Sequence, residues 1–145
     1  MPLTPQESPG LLLWHVTLAW QRQVGAALSP FGLTHVQFVL LAVTWWANTH
    51  DDSLPTQAEA AALAGADVKM TSQVLRTLEG KGLLVRNVDP ADTRARRLQV
   101  TDTGAELAPR AVAAVEEVDR AFFAPVHEGE AMRLLRALTS ADALT

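Results

Sequence analysis

The sequence contains no cysteine. That absence removes a disulfide framework, a thiol nucleophile, a cysteine redox switch and any zinc site built on thiolates. Long apolar runs are missing too. The longest, Val36 to Ala47, covers about 12 residues and is interrupted by Gln37 and Thr44, well short of the roughly 20 that cross a bilayer. No basic residue precedes the first apolar segment in Met1-Pro2-Leu3-Thr4-Pro5-Gln6-Glu7, which argues against a secretory leader. A cytoplasmic protein without a membrane partner is the expectation.

Catalytic signatures are equally scarce. There is no Ser-His-Asp arrangement, His-Glu-x-x-His, P-loop or phosphate-binding glycine loop. Asp51 and Asp52 read as loop charges, and His35, His50 and His127 lack metal-ligand spacing. The sequence therefore predicts no enzyme, no metal and no cofactor. Its 8 Gly and 8 Pro in 145 residues are too few for a low-complexity segment, and 48% hydrophobic with 19% charged residues is too apolar for disorder. Residues 1–145 should form one domain.

The formal net charge of −4 hides a segregation. Between Lys69 and Arg97 stand seven basic residues (Lys69, Arg76, Lys81, Arg86, Arg94, Arg96, Arg97) against three acidic ones (Glu79, Asp89, Asp92), a local balance of +4 that leaves −8 on the remainder. A basic segment within an acidic chain is the footprint of a surface that meets a polyanion.

Helical periodicity runs from Leu11 to Leu28 and, after Ser29-Pro30-Phe31-Gly32, from a Thr34/Gln37 capping box to about Asn48. A second capping box, Thr56/Glu59, opens a short Ala-rich helix that Gly65 stops. Only Gly65-Ala66-Asp67 separates it from a helix over Val68 to Lys81, the spacing of a helix-turn-helix. Two β-prone runs, Leu83 to Val88 and Arg97 to Val100, flank the turn-forming Asp89 to Arg96 and predict a hairpin with a basic tip. Thr101 then caps a long helix to about Phe123, and a last helix covers about Glu130 to Leu138.

At about 100° per residue, the helix after the tight turn puts Thr71, Val74, Leu75 and Leu78 on one side. Lys69, Gln73 and Arg76 occupy the other, with Ser72 and Thr77 beside them. Arg and Lys donate to guanine O6 and N7, Gln pairs with adenine, and Ser or Thr bonds phosphates or base edges. No carboxylate interrupts that face before Glu79. At the hairpin, Arg94, Arg96 and Arg97 can enter a minor groove, and Asp92 can pair with Arg94.

These residues carry a resemblance. Asp89-Pro90-Ala91-Asp92-Thr93-Arg94 through Leu98-Gln99-Val100-Thr101-Asp102-Thr103-Gly104 resembles the wing of the MarR (multiple antibiotic resistance regulator) family of winged-helix transcription factors. That family shows Asp-x-Arg at the wing, then Leu-Thr-x-x-Gly entering a long helix. Leu78 to Arg86 is similar to its helix-to-wing junction, and Gly32-Leu33-Thr34-x-x-Gln37 to the start of its second helix. The likeness covers about residues 10 to 140.

The resemblance implies a mainly α fold with a small β-wing, in which helices from residues 11–33 and 105–145 dimerise and residues 34–104 form the DNA-binding lobe. It implies a homodimer that binds a pseudo-palindromic stretch of double-stranded DNA, most often as a ligand-responsive repressor, with contacts from Lys69, Ser72, Gln73, Arg76 and Arg94. This chain departs from the pattern in places. Val100 replaces a Leu, Thr93 stands where a basic residue is common so that wing charge moves to Arg96 and Arg97, and Lys69-Met70 replaces a frequent Ser-Thr. The missing cysteines exclude a thiol-sensing member. A winged-helix protein-interaction module without DNA binding is the alternative, supported only by the overall acidity.

Surplus apolar residues fit a dimer. Leu11, Leu12, Leu13, Trp14, Val16 and Leu18 surround the first helix, and Leu134, Leu135 and Leu138 stripe the last. Trp14, His15, Trp20, Arg22, Phe38 and Trp45 are candidates for an effector site that takes a small aromatic or phenolic molecule, favouring a flat, lipophilic or phenolic anion with Arg22 or His15 as polar anchors. Trp45 and Trp46 should diverge by about 100° and not share one site.

Overall fold

The computed structural model describes residues 2–140. Helix α1 (Pro9–Leu28) begins where the Ser8 hydroxyl accepts the Leu11 N–H at 3.2 Å, satisfying a donor that the first turn cannot. A 3-10 turn, Ser29–Phe31, ends at Gly32 with φ +68°. The chain there bends by 70°, through a left-handed conformation that glycine adopts without strain. Helix α2 (His35–His50) follows, and its capping box is formed as expected: Thr34 Oγ1 accepts from Gln37 N, and Thr34 N donates to Gln37 Oε1.

Helix α2 is the hub. Its buried Phe38, Leu40 and Leu41 join Val24 and Leu28 of α1, Leu75 and Leu78 of α4 (Val68–Gly80), and Ala108, Ala111 and Val115 of α5 (Asp102–Phe123) in one core. Thr44, also buried, donates its hydroxyl to the Leu40 carbonyl at 2.7 Å and so brings no unpaired polar atom into it. Helix α3 (Gln57–Ala64) ends at Gly65 in the left-handed region, and Asp67 caps α4 by accepting from Lys69 N. The helix-turn-helix read from spacing is present.

Strands β1 (Leu84–Val88) and β2 (Arg96–Val100) pair antiparallel, from Leu84 opposite Val100 to Val88 opposite Arg96. The loop before α3 adds a short third edge, unforeseen from the sequence. Thr56 bridges Arg97, and the Leu98 N–H donates to the Pro55 carbonyl at 2.8 Å. Asn48 then ties this sheet to α2, accepting from Val100 N at 2.8 Å and donating to the Leu98 and Ser53 carbonyls. The wing therefore rests on two helices.

Helix α6 (Glu130–Thr139) buries none of its residues. Residues 141–145 of the expected dimerisation segment 105–145 lie outside the described residues. No single helix among those described is long and apolar enough to cross a membrane.

Candidate nucleic-acid interface and effector groove

On α4, Thr71, Leu75 and Leu78 face the core and are buried, while Lys69, Gln73, Arg76 and Thr77 are exposed and Ser72 is half-buried. The Thr77 hydroxyl donates back to the Gln73 carbonyl at 3.3 Å, so it offers an acceptor outward. Two apolar residues outside the expected DNA-contact set also stand on this helix. Val68 is 60% exposed and Met70 is exposed as well. Their position in the first turn turns both outward.

Wing and helix enclose a groove of about 530 Å³ between Val68 and Ser72 of α4, Gln57 at the start of α3, and Arg86, Arg94 and Arg96. Its electrostatics rest on how the basic segment pairs. Each of its three acids engages one arginine: Glu79 with Arg86 at 2.7 Å, Asp89 with Arg97 at 3.1 Å, and Asp92 with Arg94 at 3.6 Å. Lys81 is also committed, donating to the Gly32 carbonyl and to Gln37 Oε1. Among the described residues, Lys69, Arg76 and Arg96 keep cationic groups with no acidic partner. Arg94 joins them in practice, because its side chain is 92% exposed and its contact with Asp92 is long.

Arg97 does otherwise. Sequence placed it with the DNA-facing arginines, but Nε bonds the Asp89 carboxylate and Nη1 donates to the Leu54 carbonyl at 2.7 Å. Strand alternation explains the difference, since Arg96 and Arg97 point to opposite faces of β2. Arg97 fastens the wing to the loop before α3. Asp89 is buried, and its carboxyl is held below the ordinary value, chiefly by the Ala91 N–H at 2.9 Å. Burial opposes that shift and the Arg97 charge reinforces it.

The six residues read as an effector site do not converge. Phe38, 9% exposed, belongs to the core, because α2 is covered on several sides. Trp14, His15 and Arg22 project from α1 as exposed side chains. Trp20 donates its indole N–H to Asp119 of α5 at 2.8 Å and packs edge-on against His35, 5.0 Å between ring centroids. Burial pushes the His35 imidazole below its ordinary value, and the Asp119 charge partly offsets this.

Trp45 does line a concavity, and Trp46 lines it too, contrary to the expected divergence. Although the two side chains leave α2 in different directions, their broad rings meet edge to face, with centroids 6.3 Å apart and planes at 70°. This groove of about 540 Å³ lies among α2, α3 and α5, and Leu63, Val112, Asp51 and Glu116 complete its wall. His50 stacks on Trp46 at 3.5 Å and fixes that ring.

An amphipathic helix set by a tight turn beside a basic two-stranded wing defines the class: a winged helix-turn-helix transcription regulator. No family model matches the chain. Individual proteins do. It is 44% identical over 126 residues, 87% of its length, to the uncharacterised HTH-type transcriptional regulator YdcH of Bacillus subtilis, of which 85% is covered. It is 32% identical over 143 residues to the HTH-type transcriptional repressor Rv2887 of Mycobacterium tuberculosis, covering 97% of this chain and 99% of that one. Among solved structures, the repressor CouR bound to a 23-mer DNA duplex superposes with a TM-score of 0.80 at 26% identity, over 97% of this chain and 98% of that one. A MarR-family regulator from Rhodococcus sp. RHA1 superposes with a TM-score of 0.81 at 24% identity, covering 96% and 95%. The chain belongs to the MarR family of transcription regulators.

Proposed function

We propose that the chain is an effector-responsive repressor that binds a pseudo-palindromic operator as a homodimer. One observation carries this reading: Glu79 and Asp89 are consumed by Arg86 and Arg97, and Asp92 makes only a long contact with the solvent-exposed Arg94, so Lys69, Arg76, Arg94 and Arg96 are presented with Gln73 on the helix and wing. These cations neutralise phosphates, and Lys69, Gln73 and Arg76 read base edges with Ser72 and Thr77 beside them. Val68 and Met70 supply apolar contacts suited to thymine methyl groups. Arg97 acts one step back, by holding the wing in place.

The dimer follows from apolar surface that the chain leaves uncovered. Helix α6 exposes Met132, Leu134, Leu135 and Leu138, and α1 exposes Leu12, Leu13, Trp14 and Val16. A second copy removes both from water. Residues 11–33 and 105–145 are thus assigned to dimerisation, and 34–104 to DNA binding. Two recognition helices related by a twofold axis would meet successive major grooves. The wall between α2, α3 and α5 is where an effector would act, because Leu63 stands two residues before the turn into α4. CouR, solved both on DNA and with p-coumaroyl-CoA, joins the two properties in one protein. Regulation, rather than catalysis, is the activity assigned, and the cytoplasm is its setting.

An electrophoretic shift on the DNA upstream of the chain's own gene, at two salt concentrations, tests the reading. Specific retention that weakens steeply with salt is expected. Absence of any shift at low salt would overturn it in favour of an interaction module.

A further inference from the structure

The effector groove has a charge as well as a shape. Its wall is apolar except at two side chains, and both are acidic: Asp51, just past the end of α2, and Glu116 on α5. Among the described residues neither has an ion-pair partner. Arg22 and His15 are absent from the wall. The same wall holds the indoles of Trp45 and Trp46, the latter with one face covered by His50, and indole is the aromatic group that attracts cations most strongly over its face.

We infer that this groove takes a flat aromatic cation, stacked on the tryptophan corner with its charge toward Asp51 and Glu116. The inference rests on the effector-responsive reading above and names the ligand class of that site. An aromatic anion of equal area gains the same apolar burial there but meets two like charges and the negative ring faces. Charge therefore selects the ligand. Position gives it an effect, since Leu63, 68% exposed on the α3 side, is the part of the wall attached to the helix-turn-helix. A ring wedged against Leu63 pushes α3 and the turn into α4 relative to α5.

The test is calorimetric titration of the full chain with two probes that share one naphthalene ring and one methylene, 2-naphthylmethylammonium and 2-naphthylacetate. The ammonium should bind about tenfold or more tightly than the carboxylate. In the paired variant Asp51→Asn with Glu116→Gln the preference should fall to about twofold or less, with the melting temperature confirming an intact fold. Trp46→Leu should weaken the ammonium specifically. Equal or tighter binding of the naphthylacetate, a preference unmoved by the amide substitutions, or no binding of either probe because the partner's α1 fills the groove would each overturn the inference. Operator binding by the same preparation separates the two levels. DNA retention without ammonium binding removes this ligand assignment alone, and failure to retain any DNA removes the regulator reading beneath it.

Discussion

Gly104, in the first turn of α5, lies directly against the backbone carbonyl of Leu83 at the entry to the wing. A Cβ built on Gly104 overlaps that carbonyl oxygen and comes 2.9 Å from its carbon. The same carbonyl accepts the Thr101 N–H at 3.1 Å, and the Thr101 hydroxyl accepts from Gly104 N while donating to the Gly82 carbonyl. Cap, glycine and strand entry form one backbone joint, which gives a physical reason for a glycine three residues after the capping threonine.

Gly104→Ala should therefore destabilise the chain although alanine is the better helix former. Overpacking against backbone, which cannot rotate away, costs about 1–3 kcal/mol. Urea denaturation checks this. An unchanged midpoint would show that α5 slides to make room.

The neighbouring arginines of β2 should separate by experiment. Arg96→Ala removes a cation from the proposed DNA face and should lower the salt dependence of operator binding by about one ion while leaving the fold intact. Arg97→Ala instead unties Asp89 and the Leu54 carbonyl. Amide exchange in β1 and β2 should then speed up while the salt slope holds. If both substitutions lower the slope equally, Arg97 also reaches phosphate.

Much of this architecture is legible in the sequence because its punctuation is chemical. Thr34/Gln37 and Thr56/Glu59 announce helix starts that the hydrogen bonds then show, and Gly65 marks the tight turn by its left-handed backbone. Periodicity also sorted α4, where Thr71, Leu75 and Leu78 are buried as expected. What failed depends on contacts remote in sequence. Arg97 is engaged by the Leu54 carbonyl, Phe38 is covered by a core assembled from several elements, and Trp45 and Trp46 are reunited by ring size despite their angular separation. The acidity of the groove among α2, α3 and α5 is illegible for the same reason, because Asp51 and Glu116 belong to different elements.

Helix α6 offers a direct check on assembly. Leu134 and Leu138 are exposed in the isolated chain, so exchanging both for Glu removes nothing from its own core. Burying a leucine is worth about 1.5–3 kcal/mol. The double variant should raise the dimer dissociation constant by about a hundredfold or more, visible by sedimentation, with operator affinity falling in parallel. Sedimentation unchanged from the natural chain would move the interface elsewhere.

His35 makes the joint between α1, α2 and α5 sensitive to acid. Its imidazole is held below the ordinary value of about 6.5 by burial, with Asp119 acting in the opposite direction. The unfolded chain therefore binds a proton more readily than the folded one, and stability falls as pH drops below about 6.5, until the folded imidazole titrates too. His35→Gln should flatten that part of the stability profile. Asp119→Asn removes the stabilising charge, lowers the folded value further and should extend the loss to more acid pH. Thermal melts between about pH 7 and pH 5 decide. A slope identical in His35→Gln would assign the acid sensitivity to other groups.

Thr71 supplies a test in the opposite direction, a gain of stability. Its side chain is fully buried beneath the proposed recognition face, and its hydroxyl has no hydrogen-bond partner. An unpaired buried hydroxyl forfeits its bonds to water without replacement, a loss of about 1–3 kcal/mol. Valine keeps the branched shape and brings a methyl group where the hydroxyl was, and its helix propensity is close to that of threonine. Thr71→Val should therefore raise stability by about 1 kcal/mol, a few degrees in Tm. Since the side chain points away from Lys69, Gln73 and Arg76, operator affinity should not change. A melting temperature that falls would mean that the hydroxyl has a partner in solution, such as a buried water, and that the core under α4 is wetter than its apolar lining indicates.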